Sequence, residues 1–167
     1  SCVSLSIPGQ DPVLFDLGTG LRYFGQTQPV DEPFRGTCLL SHLHWDHIQG
    51  LPFFKPFLRP GAHVTIYAPV QPGDITVADV FADTIKPPLF PIHFSMFPGM
   101  VDIHEVADDE FTIGDDVRVV TRLIPHVGQC RDLLGLDHLG QPFDQLGFLH
   151  LIGNFRDHDL PGATPLI

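Results

Sequence analysis

The fold of this chain is decided by the stretch Ser41-His42-Leu43-His44-Trp45-Asp46-His47. It concentrates three imidazoles and one carboxylate in the spacing H-x-H-x-D-H, and these are the ligands that Zn²⁺ and similar divalent ions select. The apolar run at residues 37–40 is short enough for a buried strand, and a tight loop behind a strand can aim several side chains at one point. We therefore interpret the loop as a metal site whose ligands are His42, His44, Asp46 and His47.

Two further segments point in the same direction. Asp16 is the last residue of an apolar strand pattern. Gly18 and Gly20, which follow it, allow the backbone to turn sharply into a short helix. Residues 117–123 are the most β-prone stretch of the chain, and His126 follows them closely. A histidine just past a strand is often only structural. The metal loop upstream nevertheless favours His126 as a further ligand.

The composition is typical of a single globular domain, with 43% hydrophobic and 17% charged residues in a chain of 167. The 9 basic and 20 acidic residues give a net charge of −11, which repels phosphate backbones and anionic lipid. Nucleic acid and membrane partners are therefore disfavoured. The three cysteines include no C-x-x-C pair and indicate neither a disulfide framework nor a zinc finger. Without a membrane-span or signal-peptide pattern, we expect a cytoplasmic location.

On these motifs the sequence resembles the metallo-β-lactamase-fold hydrolases. The H-x-H-x-D-H loop is similar to their signature loop, and Ile124-Pro125-His126-Val127-Gly128 is similar to their next metal-binding histidine. The turn Phe15-Asp16-Leu17-Gly18-Thr19-Gly20-Leu21-Arg22 resembles that of the phosphodiesterase-like branch. The resemblance implies an α/β (α+β) fold, the αββα sandwich, in which two mixed sheets pack face to face with helices outside.

The resemblance also implies a centre with two metal ions. The first metal would be held by His42, His44 and His126, and the second would be served by Asp46 and His47. Asp46 would be the catalytic residue that orients the attacking water. Asp16 would orient a metal-bound histidine, and its alternative role is that of a turn or capping residue. Zn²⁺ is the expected metal, with Mn²⁺ or Fe as alternatives, and the sequence identifies no substrate-binding residue.

The resemblance covers residues 1–128 and fails over residues 129–167. We expect a metallo-β-lactamase-like domain in residues 1–128, followed in residues 129–167 by a divergent C-terminal segment of the same domain, truncated or altered in reading frame. The family would supply a bridging Asp and a final His here. Asp137, His150 and His158 have side chains that could serve as these ligands, but their spacing in the sequence is not that of the family. One further strand is expected at residues 146–152.

The start of the chain leads to a related expectation. The chain begins at Ser1 with an alternating strand pattern over residues 2–7, so we expect a processed or partial product that lacks the family's first strand. A sandwich without this strand and much of its second half leaves apolar faces and strand edges open. We expect such a chain to be unstable or aggregation-prone and to show little turnover.

The predicted function is the hydrolysis of a small or cyclic phosphodiester, because the turn after residue 15 resembles the phosphodiesterase-like branch. One alternative is a tRNA-processing ribonuclease, which the acidic charge speaks against, and another is an ester, lactone or thioester hydrolase. An alternative of another class is a non-catalytic metal-binding remnant. The expected partner is a small-molecule phosphodiester, and a family-like dimer is compatible with the resemblance. Trp45, the only tryptophan, is expected to pack beneath the metal loop.

Overall fold

The computed structural model describes residues 1–115 and 117–122, together with the backbone of two short strands further along the chain. The described elements form a layer of helices, a six-stranded sheet and a three-stranded sheet. These correspond to the first three layers of the expected αββα sandwich. In the described residues, no helix is long and apolar enough to cross a membrane.

The strands differ in how they pair. They are β1 (Val3–Leu5), β2 (Val13–Phe15), β3 (Arg35–Leu39), β4 (His63–Pro69), β5 (Met100–Val106), β6 (Glu110–Ile113), β7 (Val117–Val120), β8 (Leu136–His138) and β9 (Ala163–Pro165). The larger sheet has the order β5-β4-β3-β2-β1-β9, with parallel pairing from β2 to β5 and antiparallel pairing on both sides of β1. The smaller sheet, β6-β7-β8, is antiparallel throughout.

The helices are short and lie between the strands of the larger sheet in sequence. They are α1 (Leu21–Thr27), α2 (Trp45–Ile48) and α3 (Val77–Thr84), accompanied by 3₁₀ turns at Leu51–Phe53, Lys55–Leu58 and Phe94–Met96. Helix α3 begins with a capping box, in which the Thr76 hydroxyl accepts from the Asp79 amide and the Asp79 carboxylate accepts from the Thr76 amide. This reciprocal pair fixes the start of the helix.

A large apolar cluster, the helix-side core, lies between the helices and the larger sheet. Its buried residues are Cys2, Leu14, Leu17, Leu21, Phe24, Phe34, Cys38, Leu40, Ile48, Leu51, Phe54, Phe57, Ala62, Val64, Ile66, Ala68, Val77, Phe81, Ile85 and Phe97. Several of them are aromatic, and Phe54, Phe57 and Phe81 are almost completely buried. Burial of rings this large makes this cluster a major source of stability.

A smaller cluster, the inter-sheet core, lies between the two sheets. Its buried residues are Val13, Phe15, Leu39, Val106, Val117 and Val119. Alternate residues of a strand face opposite sides, so Val13 and Phe15 belong to this core while Leu14 between them belongs to the helix-side core. Strand β2 is therefore buried on both faces, which explains its uninterrupted apolar sequence.

Strand β7 is shorter than the stretch predicted at residues 117–123. It ends at Val120, and Thr121 bonds to Asp109, the residue directly before β6. The amide of Thr121 donates to the carbonyl of Asp109 at 2.9 Å, and its hydroxyl accepts from the amide of Asp109 at 2.8 Å. The strand predicted at residues 146–152 lies outside the described residues. Strands β8 and β9 were not predicted from the sequence pattern.

Candidate metal centre

The metal loop leaves β3 and enters α2 within a few residues. Its first two residues, Ser41 and His42, are buried, with 1% and 7% of their surface exposed. Helix α2 begins directly after His44, and the amide of His47 donates to the carbonyl of His44 at 2.9 Å. This tight turn collects on one short segment the four predicted ligands His42, His44, Asp46 and His47.

The turn after β2 is bonded to the metal loop through the backbone. The amide of Leu17 donates to the carbonyl of His47 at 2.7 Å, and the amide of Gly50 donates to the carbonyl of Leu17 at 2.7 Å. A side chain at Gly50 does not fit, because its Cβ would lie 1.9 Å from the carbonyl oxygen of Gly18. Glycine at this position therefore permits the close approach that fixes the loop.

Asp16 lies at the centre of the contact between the two segments. Its backbone adopts a φ of 60°, a conformation that is uncommon outside glycine, and only 3% of its surface is exposed. Oδ1 accepts from the amide of Ser41 at 2.9 Å and from its hydroxyl at 2.7 Å. Oδ2 lies 2.7 Å from Nδ1 of His47 and accepts from the hydroxyl of Ser1 at 3.1 Å. Both carboxylate oxygens are thus fully engaged.

The electrostatics of this contact favour the charged forms of both partners. Burial would raise the pKa of Asp16, but the hydrogen bond and charge of His47, with the hydrogen bonds from Ser41, hold that pKa below its ordinary value. Burial would lower the pKa of His47. The hydrogen bond and charge of Asp16 and the charge of Asp46 outweigh it, so the pKa of His47 is raised.

The four predicted ligands form two adjacent donor pairs. Nε2 of His42 and Nδ1 of His44 lie 3.0 Å apart, and Nε2 of His47 lies 3.2 Å from Oδ2 of Asp46. Two ligands of one tetrahedral zinc ion, each about 2.1 Å from the metal, are about 3.4 Å apart. Each pair therefore has nearly the spacing of two ligands on one ion. The ring centroids of His42 and His47 are 4.0 Å apart, which makes the pairs neighbours.

The donor set fits a metal centre in its chemistry. In the part of the chain that the structure describes, no group of three or more His, Cys, Asp or Glu side chains is arranged to hold a metal ion. The pairs explain this finding, since each supplies two donors and a third would have to come from elsewhere. Three imidazoles and one carboxylate are ligands that suit zinc. The division of these ligands between two metals, which the resemblance implies, stays a prediction.

The other predicted site residues differ in how far the structure describes them. Asp16 lies against a histidine of the metal loop, as its predicted orienting role requires, and that role stays a prediction. Asp137 lies in β8 with its backbone opposite Arg118, and its side chain is outside the description. His126, His150 and His158 also lie outside the described residues, so their roles as ligands remain predictions.

Two features of the loop differ from the sequence analysis. The expectation that Trp45 packs beneath the loop is wrong, because 53% of its surface is exposed. Ile48 and Leu51, just after the loop, are the residues that belong to the helix-side core. The contribution of Ser41 was missed, although its hydroxyl lies 3.0 Å from Nδ1 of His42. A small hydroxyl residue between a buried strand and the first histidine was the available signal.

Comparisons with known proteins show the family to which the chain belongs. No curated protein sequence matches the chain. Among solved structures, it is similar to one described as "Crystal Structure of a New Diphosphatase from the PhnP Family", with 20% identity and a TM-score of 0.46. The likeness covers 69% of this chain and 40% of that one, so the chain spans less than half of that protein. The model of the beta-lactamase superfamily domain matches residues 12–148, which include the metal loop. The predicted fold is thereby confirmed, and the chain belongs to the beta-lactamase superfamily domain family.

Proposed function

We propose that this chain is a divalent-metal-dependent hydrolase that acts on small or cyclic phosphodiesters. The observation that carries the proposal is the presence of two adjacent donor pairs, one formed by His42 and His44 and the other by Asp46 and His47. Membership of the beta-lactamase superfamily domain family supports a metal-dependent hydrolase. Zn²⁺ is the proposed metal, with Mn²⁺ or Fe as alternatives, because imidazole and carboxylate donors suit these ions.

The chemistry follows from what the donor pairs can hold. Divalent ions bound there would lower the pKa of a water molecule and stabilise the charge on the reacting phosphate. Asp46 has an exposed carboxylate beside Nε2 of His47, where it can orient this water and accept its proton. The water oxygen then bonds to phosphorus while the P–O bond of the ester breaks. The released alkoxide takes a proton from solvent.

The substrate class follows from charge and from the phosphodiesterase-like turn. A net charge of −11 repels a long polyanion, whereas a small phosphodiester carries a single negative charge. We therefore propose a small-molecule partner and neither nucleic acid nor a membrane surface. We also propose a cytoplasmic location and a family-like dimer. Cys2 and Cys38 are both free, which is compatible with the reducing conditions of that compartment.

The test is turnover of a substrate panel by the metal-loaded chain. We expect hydrolysis of bis(p-nitrophenyl) phosphate or of a cyclic nucleotide. We expect Asp46→Ala to abolish it while the chain still folds. Asp74→Ala is the matched control, because Asp74 is an exposed carboxylate in the segment before α3 and should leave turnover unchanged.

Three outcomes would contradict the proposal. Preferential cleavage of a tRNA precursor would show a processing ribonuclease. Preferential hydrolysis of a lactone, ester or thioester would change the substrate class. Stoichiometric metal without turnover on any member of the panel would show a non-catalytic metal-binding protein.

A further inference from the structure

The hydroxyl of Ser41 connects a buried carboxylate to a predicted metal ligand. Its Oγ lies 2.7 Å from Oδ1 of Asp16 and 3.0 Å from Nδ1 of His42. Only 1% of the surface of Ser41 is exposed, so water does not compete for these bonds. The sequence analysis gave this residue no role, and the proposed mechanism does not use it.

The positions of the protons follow from the donors and acceptors. Oδ1 of Asp16 already accepts from the amide of Ser41, and two oxygens 2.7 Å apart must share a hydrogen. The hydroxyl of Ser41 therefore donates its single hydrogen to Asp16. Towards His42 the same oxygen can only accept, so Nδ1 of His42 carries the proton. The remaining nitrogen, Nε2, keeps its lone pair and faces Nδ1 of His44.

His47 reaches the same carboxylate without an intermediary. Its Nδ1 donates to Oδ2 of Asp16 at 2.7 Å, which places Nε2 on the side of Asp46. The longer distance of 3.2 Å to the Ser41 hydroxyl is a secondary contact. Asp16 thus acts on one member of each donor pair, directly on His47 and through Ser41 on His42.

We propose that Ser41 is a positioning residue of the metal centre, which extends the orienting effect of Asp16 to His42 and so links the two donor pairs. This inference rests on the proposed metal centre. Hydrogen bonding of a ligand histidine to an outer partner fixes its tautomer and ring orientation, and loss of the partner typically weakens metal binding about 10- to 100-fold. Removal of the Ser41 hydroxyl should act on His42, whereas neutralising Asp16 should act on both histidines.

The first measurement is histidine side-chain ¹⁵N NMR of the full 167-residue chain without metal in alkaline buffer. The signal of His42 is assigned by its absence in His42→Gln. We expect His42 to be protonated at Nδ1, and we expect Ser41→Ala to give a mixture of tautomers while His47 keeps its own. A wild-type His42 protonated at Nε2, or a tautomer unchanged by Ser41→Ala, would overturn the inference.

The second measurement is Zn²⁺ affinity by competition with a chelator. We expect Ser41→Ala to weaken binding about 10- to 100-fold and Ser41→Thr, which keeps the hydroxyl, to restore most of it. Ser4→Ala is the control, since it removes another buried hydroxyl from β1 and should leave affinity unchanged. Equal losses in Ser41→Ala and Ser4→Ala would show a merely structural effect and contradict the inference. A wild-type chain that binds no Zn²⁺ would instead defeat the proposed function, while the tautomers would still test the role of Ser41.

Discussion

The two cores of the molecule differ in size and in the part of the site that each supports. In the described part of the chain, the helix-side core contains twenty buried residues and the inter-sheet core contains six. Ile48 and Leu51, at the end of the metal loop, belong to the larger core. Strand β7, which leads towards His126, is held by the smaller core through Val117 and Val119.

The donor pairs and strand β7 therefore depend on different packing. The donor pairs are carried by segments that are close in sequence and cover a large apolar cluster. Strand β7 instead belongs to a second sheet, whose strand β8 comes from later in the chain. Damage beneath α2, at Ile48 or Leu51, should therefore affect the donor pairs, whereas damage to the smaller core at Val117 or Val119 should leave them intact.

The largest expected effect comes from a cavity in the helix-side core. Phe57→Ala removes a completely buried ring and should lower the free energy of unfolding by about 3 to 5 kcal/mol. Val119→Ala removes two methyl groups from the inter-sheet core and should cost about 2 kcal/mol. Urea denaturation measures both. If Val119→Ala is as costly as Phe57→Ala, the proposed difference between the cores is wrong.

A second prediction concerns the contact between the metal loop and the turn after β2. Gly50→Ala forces the carbonyl of Gly18 away and should cost about 3 kcal/mol or more, with loss of metal affinity. Gly73→Ala is the control, because Gly73 has a φ of 75° but no neighbour near the added Cβ. We expect it to cost about 1 to 2 kcal/mol and to leave metal affinity unchanged. Wild-type metal affinity in Gly50→Ala would show that the contact does not position the donors.

The smallest expected effect lies at the start of α3, on the outer side of the larger core. Thr76→Ala removes the capping box and should lower Tm by about 2 to 4 °C. Hydrogen bonds from the Thr76 side chain and backbone hold the pKa of Asp79 below its ordinary value of 3.8. This stabilisation is fully present above that value and is lost as the pH falls through the lowered pKa. The difference in Tm between the two proteins should therefore shrink in acid, and a constant difference would contradict this explanation.

Sequence reasoning could predict the metal loop because its signal is local. The apolar run at residues 37–40 and the spacing of the histidines lie within ten or so positions, and strand geometry converts such a pattern into one cluster. The fold class was implied by the family resemblance that this loop and the turn at Asp16 carry. These predictions did not require knowledge of distant pairings.

The parts that could not be predicted depend on contacts between distant residues. The pairing of β1 with β9 joins Val3 to Pro165, and no local pattern reports such a partner. The exposure of Trp45 depends on which apolar side chains of its segment enter the core, and Ile48 and Leu51 do so while Trp45 does not. The role of Ser41 depends on the position of Asp16, which lies twenty-five residues earlier in the chain.

The most direct test of the account is metal binding reported by Trp45. This residue is the only tryptophan and lies between His44 and Asp46, so its fluorescence monitors the metal loop alone. We predict that added Co²⁺ or Zn²⁺ changes this fluorescence and that the change saturates at a stoichiometric amount of metal. His42→Ala should abolish the response. His104→Ala, which removes an exposed histidine on β5, should leave it unchanged. A chain that carries no stoichiometric metal, or a response that survives His42→Ala, would contradict the assignment of the loop as a metal centre.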